Sequence, residues 1–416
     1  MGEGEFRKER MIIRAINFLI IIFALILGVI FYDVLDNFYN FSLTDELLAL
    51  LLVVYWMFNP KSHFNREFFI FICIALFYLG YSLTYPNNVE QAIWSDFFVQ
   101  IKPFLAFYAV YNMDFSLDES QKKNIRYICL IATILILPIG IQNPGGPNMG
   151  NLCIHSRYAT MMEILGITYL FYSNRTRRDV IISIMIIAVG LLSLRSKMFG
   201  FFAVYAGVML FWNPNKKYKI FTIKNIFFFG IFSALALYFA FEKIMFYFVE
   251  GSDNVDMMAR PFMYQMAWRI LHDYPIFGTG LGTYGTYASS VFYSPIYLKY
   301  GMDSNYEIGH NLFISDAFYP EFVEFGLLGI SLFFLFWRKR FYEAKHIFQQ
   351  NNDTIVYKLI LLVIIFFVIE SVADSTFTQN RGLVMMMILA ILLKDKETKS
   401  SKPIIEYGKF YHSRTH

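Results

Sequence analysis

Long apolar runs separated by short polar connections repeat from Met11 to Leu393, with no strand-like alternation. A helical run of roughly 20 apolar residues crosses the hydrocarbon core of a bilayer. The pattern predicts about twelve such helices, near 11–32, 44–58, 67–84, 92–112, 125–142, 156–172, 179–194, 197–213, 220–248, 312–337, 355–373 and 380–393. The second is short, and the ninth is long enough to tilt. Only Leu194–Lys197 separate the seventh from the eighth, which predicts a tight helical hairpin. The connection 249–311 is too polar to cross. It contains a helical-looking segment, Arg260 to His272, and after Pro275 a tract rich in glycine and tyrosine, Gly278 to Tyr287. A structureless loop of that length is uncommon, so this one is expected to fold back on the bundle as a lid or a site. The expected fold class is an all-α polytopic membrane protein with one large external loop. Its parts are 1–248 (nine spans), 249–311 (the loop with short helices), 312–393 (three spans) and 394–416 (a polar tail).

Composition agrees. Hydrophobic residues make up 57% of the chain and charged residues 16%, where a soluble domain carries about a quarter charged residues. The first apolar run lacks a small-residue cleavage site and leads into further spans, so it is read as a retained helix. Cys73, Cys129 and Cys153 show no metal or disulfide spacing and are expected to be buried bystanders.

Charge then orients the bundle. Arg7/Lys8/Arg10, Lys61/Arg66, Lys122/Lys123/Arg126, Arg175/Arg177/Arg178, Lys216/Lys217/Lys219, Arg338/Lys339/Arg340 and Lys394/Lys396/Lys399 fall on alternate connections. The positive-inside rule makes these ends and both termini cytoplasmic. Anionic lipid and topology account for these clusters, so nucleic acid is not expected as a partner. The other side should be poor in cations, yet Arg157, Arg195, Lys197, Arg260, Arg269 and Arg381 lie there. Cations kept where topology disfavours them point to an anionic ligand on that face.

Arg195 sits in the hairpin turn, and a guanidinium there either snorkels to lipid phosphates or clamps a phosphate with its planar donor set. Arg260 precedes Pro261 at a helix start, where anions are favoured. Its alternative is a pair with Asp253 or Asp256. Arg269 either joins this set or lies on a solvated face, and Arg381 either joins it or anchors the last helix. His310, where the loop re-enters the membrane, is a candidate general base or a hydrogen-bonded interfacial histidine. Asp316, Glu321 and Glu324 lie in apolar surroundings that make a carboxyl costly without a partner or role. Lys102 pairs with Asp96 if Pro103 breaks the fourth span. Tyr284, Tyr287, Tyr293, Tyr297, Tyr300 and Tyr306 suit sugar stacking or interface anchoring equally. The glycines of Gly278–Gly285 suit a tight turn beneath a ligand. No histidine and acid pair has helical metal-ligand spacing, so no metal and no cofactor is expected.

Two patches resemble the O-antigen polymerase and O-antigen ligase superfamily (Wzy/WaaL-like). One is the Ser193–Arg195 turn with the glycine-containing span after it. The other runs from Arg260 through Pro275-Ile-Phe-Gly-Thr-Gly-Leu-Gly282 to His310-Asn311 and Glu324-Phe-Gly-Leu-Leu-Gly329. The stretch between Asn311 and Gly326 is longer here than in that family. The resemblance implies a GT-C type glycosyltransferase fold in the bacterial inner membrane, with a periplasmic active site. It implies that Arg195 and Arg260 hold a lipid-linked pyrophosphate and that His310 activates an acceptor hydroxyl. Arg269 and Arg381 are further pyrophosphate candidates, and Arg157, Lys197, Asn311, Tyr284 and Glu324 are further substrate contacts. The leading expectation is a polysaccharide polymerase for O-antigen or capsule. It would act on an undecaprenyl-diphosphate-linked oligosaccharide without a metal, with membrane lipid and a chain-length regulator as partners. Its rivals are a ligase that transfers glycan to lipid A core and, from another class, a polysaccharide flippase or transporter. A transporter calls for broken helices, pseudo-repeated halves and mid-membrane charge, and no repeat is evident.

Overall fold

A computed structural model describes residues 3–39, 44–60, 62–146, 148–150, 152–214, 259–309, 314–315 and 317–394. Among the described residues nine α-helices precede residue 214: α1 (Glu3–Leu25), α2 (Tyr32–Tyr39), α3 (Thr44–Phe58), α4 (Arg66–Thr84), α5 (Glu90–Tyr111), α6 (Glu119–Gln142), α7 (His155–Tyr172), α8 (Arg177–Val189) and α9 (Ser196–Phe211). The loop region holds α10 (Ala259–Asp273), α11 (Tyr287–Val291), α12 (Pro295–Lys299) and α13 (Tyr306–Gly309). The chain then closes with α14 (Gly326–Asn351), α15 (Thr354–Glu370) and α16 (Asn380–Leu393). Two short antiparallel strands, Asn148–Met149 and Cys153–Ile154, pair ahead of α7.

Among the described residues three stretches are long and apolar enough to cross a membrane unaided: Lys8–Ile30, Arg66–Thr84 and Glu119–Gln142. Helices α9 and α16 are apolar but shorter. Helix α5 has the length and carries Asp96 and Lys102 inside it. The chain is a helical membrane protein. Its expected ninth span, 220–248, lies outside the described residues.

Local chemistry accounts for the helix ends. Asp118 and Gln121 form a reciprocal capping box at the start of α6, and Thr176 and Asp179 do the same for α8. Helix α8 tightens into a 3-10 turn, Gly190–Ser193, and Leu194 then takes a left-handed conformation with φ 51°. That single residue reverses the chain, and α9 begins two residues later. The hairpin expected from Leu194–Lys197 is therefore present.

Helices α7 and α16 form the centre. Every residue of α16 is buried, as is every residue of α7 from Tyr158 to Tyr172. A helix that is apolar all round belongs inside a bundle. Helices α5, α15 and α9 pack around these two, and Phe107, Phe201, Phe366 and Phe377 fill the space between them. A smaller core joins α10 to the loop, through Met263, Met266, Tyr284 and Tyr297.

Three expectations change. The span expected at 312–337 is no single helix: Tyr319–Glu324 form a 3-10 turn with Pro320 near its start, and α14 begins only at Gly326. Proline lacks the amide hydrogen that an α-helix needs there. Pro103 does not break α5, which runs on past it to Tyr111. Lys102 consequently lies on a different face from Asp96 and pairs instead with Asp45 and Glu46 of α3. Finally, Cys129 and Cys153 are buried, but Cys73 is exposed on the outside of α4.

Candidate active site

At one end of the bundle the N-termini of α7, α9, α10 and α16 meet the loop that follows α15. Helix N-termini present unpaired amides and the positive end of the helix dipole. Here each also brings a cation within its first turn: Arg157, Lys197, Arg260 and Arg381. Two of them, Lys197 and Arg381, meet at Asp374. Its Oδ2 accepts from Lys197 Nζ at 2.9 Å and from Ser156 Oγ, while Arg381 Nη2 lies 3.5 Å from its Oδ1. Lys197 also donates to Glu370 Oε2 at 2.6 Å, and Thr376 Oγ1 donates to the same oxygen at 3.1 Å. Arg381 is 2% exposed and reaches Thr160 Oγ1 at 3.0 Å and Gln379. The Arg260 guanidinium reaches the Ala373 carbonyl at 3.4 Å, one residue from Asp374. Arg157 pairs with Asp33 of α2 and packs 5.5 Å from the Tyr32 ring.

Burial alone would raise the Asp374 carboxyl. Lys197 and Arg381 outweigh it, so the group is held well below the usual carboxylate range. A carboxylate gripped by a lysine, an arginine and a serine hydroxyl occupies the kind of seat that a phosphate group would take.

The glycine tract does something else. Gly278, Gly280, Gly282 and Gly285 all have positive φ, and the loop folds down onto α4, α5 and the turn before α14. The amides of Thr283 and Tyr284 donate to Glu324 Oε1 at 2.6 and 2.7 Å, and the Gly282 amide donates to Asp96 at 2.9 Å. Gln100 donates to Glu321 at 2.9 Å. Glu321 and Glu324 thus have internal partners, and Glu324 is fully buried. This tract is a clamp between the loop and the bundle, in place of the expected cradle beneath a ligand. Tyr284 is also fully buried, with its hydroxyl donating to the Met263 carbonyl at 2.7 Å.

The structure therefore gathers Lys197, Arg260 and Arg381 at one acidic loop, with Arg157 beside them. Arg195 caps α9 two residues before Lys197 and is half-buried. Arg269 is on the exposed face of α10, 5.7 Å from the Tyr300 ring. His310, Asn311 and Asp316, like Asp253 and Asp256, lie outside the described residues. Sequence reasoning did not single out Ser156, Thr160, Glu163, Glu370 or Asp374. Glu163 and Glu370 carried a signal, since each is a carboxyl within a long apolar run. Asp374 carried none, in what reads as a short connecting loop. Among the described residues no group of three His, Cys, Asp or Glu side chains is arranged to hold a metal ion.

Residues 155–334 match a family model described as O-antigen ligase. No curated protein matches the chain, and no solved structure does. The matched region contains Arg157, Arg195, Lys197, Arg260 and the glycine clamp, and it ends before Asp374 and Arg381.

Proposed function

From a chain that belongs to the O-antigen polymerase and ligase superfamily, we propose a bacterial inner-membrane polymerase. It joins undecaprenyl-diphosphate-linked repeat units on the periplasmic side. The observation that carries this reading is the gathering of helix N-termini and their cations at the loop of Asp374, where Lys197 and Arg381 hold the carboxylate and Arg260 reaches the Ala373 carbonyl. Their chemistry suits a diphosphate better than any neutral ligand. The twelve-span layout, the cytoplasmic termini and a periplasmic loop at 249–311 belong to the same proposal, as does a chain-length regulator as partner.

In this reading the sugar hydroxyl of one repeat unit attacks the anomeric carbon of another. The bond from that carbon to the diphosphate oxygen breaks, and the electron pair leaves with the diphosphate. Lys197, Arg381, Arg260, Arg195 and Arg157 stabilise the developing charge, as fixed cations in a dry site do efficiently. His310 takes the hydroxyl proton as general base. A single displacement inverts the anomeric configuration. Arg269, on the exposed face of α10, is placed to meet the glycan. Tyr284 and Glu324 act by holding the loop, and Asn311 by its position next to His310.

A ligase is the second reading, favoured by the description of the matching family. Both use the same donor, so the acceptor decides. Purified protein given lipid-linked repeat units alone should elongate them if it is a polymerase. Turnover only after lipid A core is added would replace that reading with the ligase. In cells, Arg195→Ala, Arg260→Ala, Arg381→Ala and His310→Ala should each abolish long-chain polysaccharide while the protein stays in the membrane. Wild-type chain lengths in all four would refute the site.

A further inference from the structure

Helix α7 presents Ser156, Thr160 and Glu163 on successive turns of one face. Ser156 bonds Asp374 and Thr160 bonds Arg381. Glu163, the deepest of the three, is fully buried, and neither of its carboxyl oxygens has a hydrogen-bond partner among the described residues. Its charged neighbours are Glu370 on α15, Lys197 on α9 and Arg381 on α16. Glu370 is 1% exposed at its side chain, and its Oε1 also lacks a partner, while Oε2 holds Lys197 and Thr376. A buried carboxylate without donors is costly, and it is relieved by carrying a proton. Glu163 therefore stands outside the ion pairs, in which Lys197 holds Glu370 and Asp374 and Arg381 lies against Asp374.

That balance cannot survive an arriving diphosphate. Lys197 is the shared counter-ion of Glu370 and Asp374. A ligand that takes Lys197 and Arg381 leaves these two carboxylates beside added negative charge in a poorly solvated pocket. Asp374 keeps the Ser156 hydroxyl, but Glu370 is fixed at the end of α15 next to Glu163. We propose that Glu163 and Glu370 form a proton-binding pair, and that a diphosphate entering Lys197 and Arg381 arrives together with one proton, which loads onto Glu370. The inference rests on the assignment of Lys197 and Arg381 to the donor diphosphate. It adds that donor binding is linked to protonation, so affinity falls as pH rises.

The test uses the full chain in detergent and, as probe, a short prenyl diphosphate esterified to one hexose, whose two phosphate charges do not titrate near neutral pH. Calorimetric binding near pH 7 in buffers of different ionisation enthalpy counts the protons exchanged. Wild type should take up about one proton per bound probe, and its Kd should rise by up to about tenfold per pH unit above neutral. Glu370→Gln should bind with an uptake near zero and a flat pH profile. Glu163→Gln, which keeps that position uncharged, should keep an uptake of about one. Probe binding by wild type with no proton uptake would overturn the pair and leave the diphosphate site standing. Equal uptake in wild type and Glu370→Gln would overturn it as well, as would loss of uptake in Glu163→Gln. If wild type binds no probe in any buffer, the diphosphate assignment itself falls and takes the pair with it.

Discussion

Lys197 and Asp374 illustrate how stability and function divide at a single ion pair. Lys197 is nearly buried and holds two carboxylates, so Lys197→Met leaves both short of a cation. Removing one partner of a buried pair costs about 3–5 kcal/mol, and a comparable loss is expected for Asp374→Asn, which strands Lys197 and Arg381. The double variant Lys197→Met/Asp374→Asn should regain much of the thermal stability in detergent yet make no polysaccharide, because the cation is gone. Restored glycan in the double variant would show that Lys197 is a structural residue only. The pH dependence has a definite sign. The folded Asp374 carboxyl lies below its ordinary range, so its contribution is present above the unfolded carboxylate pKa and is lost only as pH falls through the folded value. The stability gap between wild type and Asp374→Asn should therefore stay constant from neutral pH down through mildly acidic pH. A gap that closes between about pH 6 and 5 would mean that burial outweighs the cations and lifts the Asp374 carboxyl above the ordinary value of about 3.9.

The glycine clamp fixes the loop at the level of elements. A Cβ on Gly278 would sit 2.3 Å from the Val323 carbonyl oxygen, and its φ of +76° is one that side chains resist. Gly278→Ala should cost about 1–3 kcal/mol from strain alone, read as a lower melting temperature and faster proteolysis of the 259–309 region. Gly80→Ala is the control: nothing lies within 4 Å of its Cβ position on α4, and alanine favours a helix over glycine. These elements also show what the sequence makes legible. Helices α3, α4 and α16 begin and end within a residue or two of their apolar runs, because burial and the bilayer act on composition directly. The start of α14 was missed, since Pro320 diverts the backbone into a 3-10 turn inside an apolar run. The partners of Lys102, Glu324 and Asp374 were illegible for another reason. Apart from Arg381, which follows Asp374 by seven residues, each lies tens to hundreds of residues away and becomes a neighbour only when helices pack. The surplus of cations on one side was readable, whereas the acid that organises them was not.

Two ends of the molecule differ in chemistry, and their separation is the premise of any reaction at the cationic end. At one end Lys197 and Arg381 pair with Asp374, with Arg260 on the Ala373 carbonyl and Arg157 on Asp33. At the other, Arg340 pairs with Glu67 and Glu343, Arg175 with Asp353, and Lys394 lies 4.5 Å from the Tyr111 ring. If the bundle crosses the bilayer as proposed, these ends face different compartments. Cysteine labelling tests this on the intact protein. Cys73 is exposed and should be replaced by Ser. Cys129 and Cys153 can stay, since both are buried, and burial pushes the Cys153 thiol up to about 12, leaving little thiolate to react. Lys299→Cys, on the exposed surface beside α10, should react with a membrane-impermeant maleimide in spheroplasts. Arg177→Cys, exposed at the start of α8, should react only after permeabilisation. Labelling of both without permeabilisation, or of neither, would place the two ends in one compartment. The cations at Asp374 could then not belong to a site that faces away from the cytosol.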